Sequence, residues 1–415
     1  MENSGIREKK MVRSYQRIVG IIGLGGSMRI RNYVFVVVIS GAIVGAAHGR
    51  SLASQQASEP SQLLTDARAG DAKAQFALGK AYEEGNGAQQ DDKRAAEWYL
   101  KAAEQGNAQA QLNLGRMYGL GRGVDKNFIE ALTWYKKAAR QKNPTALFMV
   151  AATYYNGDGV PHSDVTAYCW FLLAQEAGSK EAEDGVRRLG SGLNVRERAE
   201  ALEKIGELYD EGTDLPKSDD EAAKWYRRAA QDGSSNAQVR LAGMLLEGRG
   251  VDRNYNEASH WCDVAAKNQD MSAVFCEGVL RERGLGVEQD FKRAAKYYAV
   301  AANANISEAM LSLAHLYERG KGVHQDKINA YSWLVLATAY GDVNIKGRRE
   351  TQSLIRPFFK ALANTGDADN VATVTAKEEA ESLAKDLNDD QVRRAMHVAR
   401  QFMAARNQSL PLENR

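Results

Sequence analysis

Three groups of residues in this sequence have the types and spacing that chemistry requires. Ser382 and Lys385 match the S-x-x-K signature, which supplies the serine nucleophile of penicillin-interacting enzymes. The companion motifs S-D-N and K-T-G are missing from the chain. Because a pattern with two fixed positions arises readily by chance, we predict that Ser382 lies on a solvated helix face and that the protein is not an enzyme.

The second group is a recurring pair of glycines, and the third is the set of histidines. Gly-x-Gly loops can bind phosphate, but the dinucleotide motif requires a preceding strand. Here each pair follows a helical pattern, as at Gly121 and Gly123, so we predict left-handed helix C-caps instead. The six histidines show no metal-ligand spacing. We therefore predict no cofactor and no metal site.

Most of the chain is one module copied several times. All six tryptophans occupy the same position of the module, at spacings of 36, 36, 55, 36 and 72 residues, with Tyr297 at the skipped position. An alanine stands three residues before each of these aromatic residues, and another stands four residues after it. Repeats of this length are typical of solenoids, in which each unit buries its apolar face only against its neighbours.

Each module has the pattern of two helices around the glycine turn. In the second copy, Ala110, Leu114 and Gly115 share one face of the first helix. The second helix is expected to begin at an N-cap side chain, and these are Asp91, Asn127, Ser163, Ser218, Asn254, Asp290 and Asp326. Glutamates three residues after the cap predict reciprocal capping boxes at Glu130, Glu221 and Glu257.

The module resembles the Sel-one-like repeat family, whose members are related to the tetratricopeptide repeats. The shared pattern is A-x-x-x-L-G-x-x-Y-x-x-G-x-G-V, followed by A-x-x-W-Y-x-x-A-A-x-x-G. The resemblance implies an all-α fold, a right-handed α/α superhelical solenoid of about seven 36-residue helix-turn-helix repeats with a helical C-terminal cap. It also implies an adaptor or regulator that binds other proteins.

The repeats are predicted to form two arrays. Repeats one to three occupy 69–178, a helical insertion or cap occupies 179–205, and repeats four to seven occupy 206–342. In the insertion, Asn194 and Ala201 echo Asn388 and Ala395 near the C-terminus. Since a solenoid end must be covered by a polar-backed element, 343–415 is predicted to be a helical cap, with a partner-docking helix as the alternative.

The N-terminus has the order of a secretory signal. Arg29 and Arg31 precede an apolar run over 33–47, so 1–53 is predicted to be a basic segment and signal peptide, with Met28 as the natural start. A flexible lead-in follows over 54–68, and the protein would be periplasmic or secreted. An uncleaved inner-membrane anchor is the alternative. The net charge of +2 and the lack of a basic stripe argue against nucleic-acid binding.

A variable face of the first helices is the candidate partner surface. Positions at steps of four, three and four residues differ between repeats while the rest of the module is constant, and such a face is not packed against a neighbour. In the related superhelices the first helices line the concave side. We call this face the first-helix stripe, and its candidate partner-binding residues are Lys73, Lys80, Glu84, Gln109, Asn113, Arg116, Asn156, His315 and Arg319.

Repeat six departs from the pattern at two positions that are otherwise apolar. Glu277 and Arg281 form an i, i+4 acid–base pair, which we interpret either as a local salt bridge in an open groove or as a polar recognition spot. Close by, Cys262 and Cys276 each lie seven residues from the turn centre, so they can face each other on antiparallel helices. An oxidising compartment would permit a disulfide between them.

Together with the family resemblance, these features predict an exported, bacterial, non-catalytic scaffold or regulator. Its partner is expected to be a protein bound through the concave face, for example the periplasmic part of an envelope sensor or complex. The alternatives are a cell-wall-active or penicillin-interacting enzyme and a membrane-anchored structural tether.

Overall fold

The computed structural model describes residues 61–342 and 376–405. These residues form eighteen helices and no strand, which confirms the all-α class. The helices are α1 Ser61–Arg68, α2 Ala72–Glu84, α3 Asp92–Glu104, α4 Ala108–Leu120, α5 Phe128–Ala139, α6 Pro144–Asn156, α7 Asp164–Glu176, α8 Glu181–Gly192, α9 Val195–Glu211, α10 Asp219–Gln231, α11 Ser235–Glu247, α12 Tyr255–Lys267, α13 Met271–Arg283, α14 Phe291–Asn303, α15 Ser307–Arg319, α16 Lys327–Asp342, α17 Ala376–Ala384 and α18 Asp389–Ala404. The predicted signal segment lies outside the described residues.

The helices pack against their neighbours in chain order, as the predicted solenoid requires. From α1 to α7, and again from α9 to α16, each helix contacts the next. The seven first helices are α2, α4, α6, α9, α11, α13 and α15. Each repeat buries its apolar face between the repeats before and after it, so the core is a continuous strip and not a central ball. None of the described helices has the length and apolar character that crossing a bilayer requires.

Local capping signals in the sequence account for where the helices begin and end. All seven predicted N-cap side chains accept a hydrogen bond from a backbone N–H of their second helix, which confirms those starts. The first glycine of each pair ends a first helix in the left-handed region, as at Gly121 with φ 69°. That prediction is also confirmed.

The capping boxes predicted at Glu130, Glu221 and Glu257 are wrong. In those helices the N–H of the cap residue donates to a carbonyl of the first helix of the same repeat, as from Asn254 to Leu245 at 3.1 Å. The glutamate has no free N–H to accept from, and Glu257 instead binds Arg227 at 3.0 Å. A reciprocal box forms at Asn194, where Glu197 accepts from the cap N–H at 2.8 Å.

The two helices of a repeat are held together by a glycine packed on a tyrosine ring. A Cβ atom added to Gly115 of α4 would lie 2.6 Å from the ring of Tyr135 in α5. The same contact recurs in three other repeats, between Gly79 and Tyr99, Gly206 and Tyr226, and Gly278 and Tyr298. These four tyrosines, each directly after the tryptophan position, are buried at 0 to 4% exposure, whereas Trp98, Trp261 and Trp333 are only half-buried.

Consecutive repeats are held together by the second glycine of each pair. Gly123 has φ 69°, and a Cβ there would come closer than 3.0 Å to the backbone of Asp92 at the start of α3. Gly250, Gly286 and Gly322 lie in the same way on the first residue of the preceding repeat's second helix. A side chain at these positions would therefore push two repeats apart.

The insertion after repeat three changes this stacking. Both α8 and α9 pack against α7, and α17 and α18 pack in the same way against α16. The boundary predicted between 205 and 206 lies inside α9, because the first helix of repeat four begins at Val195 and ends at Glu211. Insertion and repeat thus share one helix. At the C-terminal end, Ser332 donates to the carbonyl of Ala395 at 3.1 Å, which ties α18 to α16.

A disulfide joins Cys262 of α12 to Cys276 of α13, with their Cα atoms 6.1 Å apart. Cys262 occupies the position that the packed tyrosine has in repeats one, two, four and six. In repeat five, a covalent bond to the next repeat therefore replaces the contact of the tyrosine ring. Both cysteines are fully buried. Cys169 is free and buried, and burial raises the pKa of its thiol.

Two glycines of α4 provide a test of the packing between the helices of one repeat. We expect Gly115→Ala to lower the free energy of unfolding by about 1–3 kcal/mol, because its Cβ collides with the Tyr135 ring. Gly119→Ala is the matched control, since its Cβ would meet Tyr135 Oη at an ordinary 3.6 Å. This control should be neutral or stabilising by up to about 1 kcal/mol through helix propensity. Urea denaturation followed by circular dichroism measures both, and equal effects would contradict this account.

Candidate functional site

The first-helix stripe is most exposed in the N-terminal repeats. Lys73, Lys80, Glu84 and Gln109 are exposed, and Arg116 is half-buried. Lys80 Nζ and Glu84 Oε1 are 3.7 Å apart, and about half of each side chain remains in solvent. Since surface pairs of this kind contribute little to stability, both groups stay available to a partner.

The stripe position of Lys80 and Arg116 is closed in repeats five and six. The residues there that align with Lys80 and Arg116 are Gly243 and Val279, and both are buried. The first helices α11 and α13 contact each other directly, and Cys276 of α13 is buried. The predicted partner surface therefore does not run without interruption along the array.

Three predicted stripe residues have partners or burial that the sequence did not reveal. Asn113 is only 8% exposed, so it belongs to the interior and its prediction as a surface residue is corrected. The Asn156 side chain donates to Asp158 in its own turn at 3.1 Å. His315 Nε2 lies 2.6 Å from Glu379 Oε2, because α17 covers this end of the stripe. Arg319, one turn further along α15, is exposed.

The pair in repeat six is buried, which corrects the interpretation of an open groove. Glu277 is 1% exposed and binds Arg281, whose guanidinium lies 5.1 Å from the ring centre of Tyr297. The other carboxylate oxygen, Oε1, accepts no hydrogen bond from the described residues. Burial raises the pKa of Glu277, and the charge of Arg281 offsets part of that rise. Neither side chain of the pair offers an open docking surface.

The fourth repeat adds an acidic section of the stripe that the predicted residues did not include. The stripe positions of α9 are Glu200, Lys204, Glu207 and Glu211, and Glu203 lies beside them. Glu207 accepts from Arg240 at 3.1 Å, and Glu203 accepts from Ser234 at 2.5 Å. Burial raises the pKa of Glu207, with Arg240 acting against the rise. Alignment of repeat four with repeat two would have identified these positions from the sequence.

A second feature that sequence reasoning missed is an arginine that binds across repeats, which we call the arginine clasp. Arg122 lies between the two glycines of the second turn and binds Asp92 of repeat one through two bonds, of 2.6 and 3.1 Å. It also contacts Glu83 at 3.4 Å, which in turn accepts from Tyr99 at 2.7 Å.

The same cluster recurs between repeats four and five. Arg249 binds Asp219 at 2.8 Å and Asp210 at 2.6 Å. Asp210 lies 3.4 Å from the hydroxyl of Tyr226. An arginine between the glycines together with an aspartate directly after the N-cap is the sequence signal for the clasp.

The described residues offer little for catalysis. Ser382 and Lys385 are exposed at the end of α17, as predicted for a solvated face. No group of three or more histidine, cysteine or carboxylate side chains in 61–342 and 376–405 could hold a metal ion. The arrangement is suited to contact with another macromolecule through mixed charges.

Comparison with known families decides the identity of the module. The model of the Sel1 repeat matches residues 72–107, 108–143, 144–179, 199–234, 235–270, 278–306 and 307–342. The chain belongs to the Sel1 repeat family. Sel1 repeat proteins generally mediate protein–protein interactions, and their scaffold is generally non-catalytic. The match begins repeat four at 199, within α9, and leaves the insertion helix α8 outside the repeats.

Several solved structures are similar to this Sel1 repeat chain. The protective antigen c5321 of uropathogenic Escherichia coli strains, which displays an SLR fold, is 24% identical over 86% of this chain and 98% of its own, with a TM-score of 0.35. A Sel1 repeat protein from Oxalobacter formigenes is 28% identical over 70% of this chain and 78% of its own, with a TM-score of 0.33. The immunity protein Pa5087 from Pseudomonas aeruginosa is 21% identical over 56% and 81%, with a TM-score of 0.23. No curated protein matches the chain.

The buried carboxyl of repeat six predicts a pH dependence of stability. Because the pKa of Glu277 in the folded state lies above its ordinary value of 4.5, the folded protein binds this proton more tightly than the unfolded chain. Its contribution to the free energy of unfolding should therefore fall as pH rises from about 4.5 through the raised pKa. Glu277→Gln cannot titrate and serves as the reference. Urea midpoints of both proteins between about pH 4 and 8 measure the difference, and parallel profiles would refute the assignment.

Proposed function

We propose that this Sel1 repeat protein is an exported, non-catalytic scaffold or regulator that binds a protein partner through the first-helix stripe. The observation that carries the proposal is the selective exposure of the stripe. The position of Lys80 carries a charged, at least partly exposed side chain in repeats one, two and four, as Lys80, Arg116 and Glu207, whereas the same position is buried in repeats five and six as Gly243 and Val279. A face that is open only in some repeats is suited to a partner with a defined site.

The charges of the stripe indicate the kind of partner. Repeats one and two present Lys73, Lys80 and Arg116, while repeat four presents the glutamates of α9. A protein segment with acidic residues at one end and basic residues at the other would match both sections. Such complementarity favours encounter and orientation more than affinity alone. A partner in the envelope, such as the periplasmic part of a sensor or complex, accords with the secretory order of residues 1–53.

Export makes a prediction about the native polypeptide. Cleavage of the signal should leave an N-terminus between Arg50 and Ser54. In an oxidising compartment, Cys262 and Cys276 should form their disulfide and leave one free thiol, that of Cys169. N-terminal sequencing and thiol counting under denaturing conditions check both points on the native protein. Three reactive thiols on a chain that keeps Met28 or Met1 would contradict export, and an intact N-terminus in the membrane would favour the tether.

Binding through the stripe predicts which substitutions weaken a partner complex. Lys80→Ala and Arg116→Ala should reduce affinity while the thermal midpoint stays nearly unchanged, because surface substitutions at residues without a hydrogen-bonded or ion-pair network alter stability by less than about 0.5 kcal/mol. Lys93→Ala, at an exposed lysine of α3 outside the stripe, is the matched control. Trp134→Ala should lose binding only through a general loss of about 3–5 kcal/mol of stability. A partner captured by cross-linking in the envelope provides the assay.

Arg281→Ala is unsuitable for this comparison, because it leaves the buried Glu277 without its cation. Unchanged affinity in both Lys80→Ala and Arg116→Ala would rule out the N-terminal section of the stripe as the interface.

A further inference from the structure

Within this chain, the residue that begins a second helix correlates with the residue between the glycines of the following turn. Where the second helix begins with Asp92 or Asp219, the following turn carries Arg122 or Arg249, and the two side chains form the arginine clasp. In three other repeats the second helix begins with an aromatic residue: Phe128, Tyr255 or Phe291. The turns that follow carry Asp158, Leu285 and Lys321 between their glycines, and none of these is an arginine. The clasp thus requires both members.

Repeat three has the acid of a clasp without its arginine. Asp164 directly follows the N-cap Ser163, as Asp92 and Asp219 follow theirs. The turn that would supply the cation is displaced, because α8 intervenes between repeats three and four. That displaced turn carries no arginine, and its Asp214 is bound by Lys136 of repeat two at 2.6 Å.

A cavity of about 340 Å³ occupies the place beside Asp164. Its apolar wall is formed by Val165 of α7, Leu189 of α8 and Leu193, which separates α8 from α9. Its polar groups are the carboxylates of Asp164 and Glu197 and the imidazole of His162. The cavity combines two acids with an apolar wall, which is the arrangement that a long cationic side chain requires.

The acid in this cavity is only partly satisfied. Asp164 Oδ1 lies 3.2 Å from His162 Nε2 but accepts no hydrogen bond from the described residues. More than half of the His162 side chain is exposed, and its Nδ1 is held by the carbonyl of Tyr155 at 2.5 Å. Oδ1 is buried beside the imidazole, but the Asp164 side chain as a whole is 46% exposed, so a guanidinium could approach the other oxygen, Oδ2, from solvent.

We propose that the cavity at the start of α7 binds an arginine side chain of a partner protein, which completes the clasp that the insertion has left open. The guanidinium pairs with Asp164, and the aliphatic part of the side chain lies on Leu189 and Leu193. A planar guanidinium fits better than an ammonium because it is less strongly hydrated and can donate to Oδ2 of Asp164 while the rest of the side chain lies on the apolar wall. The proposal rests on the proposed function in one respect only, namely that the occupant belongs to a protein.

The probe for this site is Nα-acetyl-arginine amide, titrated into the protein with isotope-labelled methyl groups. Saturable shifts are expected at the methyl groups of Val165, Leu189 and Leu193. Nα-acetyl-citrulline amide, which has the same shape without the charge, should bind about tenfold more weakly or worse, and the lysine amide should also bind more weakly. Equal affinity of the three amides, or no movement of these methyl signals, would overturn the proposal.

Two substitutions assign the effect to the clasp position. Asp164→Asn should abolish the arginine shifts, whereas Asp92→Asn is the matched control, because Arg122 already occupies that position in repeat one. Gly192→Arg should fill the cavity from the chain itself, block the probe and raise the thermal midpoint relative to Gly192→Gln, since a Cβ at Gly192 meets no atom within 4 Å. An Asp164→Asn protein that retains its fold and titrates like the original would refute the assignment.

The amide titration requires no partner, so its result is independent of the stripe variants. If Lys80→Ala and Arg116→Ala leave a partner complex unchanged, the N-terminal section of the stripe is ruled out as the interface, and the amide titration still decides the cavity assignment. If the native complex is weakened by those variants and also by Asp164→Asn, the partner contacts both surfaces. If Asp164→Asn leaves the native complex unchanged, the partner does not supply the arginine and the inference fails.

Discussion

The contact between a first-helix glycine and the ring that follows the tryptophan position determines the rest of the structure. Without a Cβ at Gly115, the ring of Tyr135 lies directly on the backbone of α4. In two of the repeats that lack this glycine, a different contact replaces the one between the glycine and the ring. In repeat three, where Ala151 replaces the glycine, Gly185 of the inserted helix covers the ring of Phe171. In repeat five, where Cys262 replaces the ring, a disulfide joins the next repeat.

Interactions within one repeat could be predicted from the sequence, because the residues that make them are near one another in the chain. The N-caps, the left-handed first glycines and the helical repeat itself follow from short spacings. Most contacts between helices could not be predicted, although the spacing of Cys262 and Cys276 did predict the disulfide that joins repeats five and six. Within repeat five, the cap N–H of Asn254 is already bound to Leu245 of the other helix, which removed the expected capping box, and Glu277 is buried although its polar pattern predicted an open groove. His315 meets Glu379, 64 residues away, through a helix whose placement no local pattern specifies.

Comparison of the repeats with one another recovers part of what local patterns miss. Arg122 and Arg249 are 127 residues apart, as are Asp92 and Asp219, and both pairs form the same clasp. Trp170 and Tyr297 are also 127 residues apart, so the first three repeats correspond to repeats four to six. Neighbouring repeats in a solenoid contribute stability through their interfaces, so we interpret the clasp as a stabilising element at the interfaces of repeats one and two and of repeats four and five. An aspartate of the clasp position without its arginine, as in repeat three, is therefore an exception.

The insertion therefore has a larger effect than the addition of one helix. α8 covers α7 as α17 covers α16, so the middle of the chain contains a surface of the type found at the end of an array. The turn of repeat four no longer lies on the start of α7 and is held by Lys136 of repeat two instead. Where the repeats stack regularly, the contacts between them pair the polar groups of the module with one another. Groups left over for recognition are to be expected where stacking is interrupted, and Asp164 lies at such an interruption.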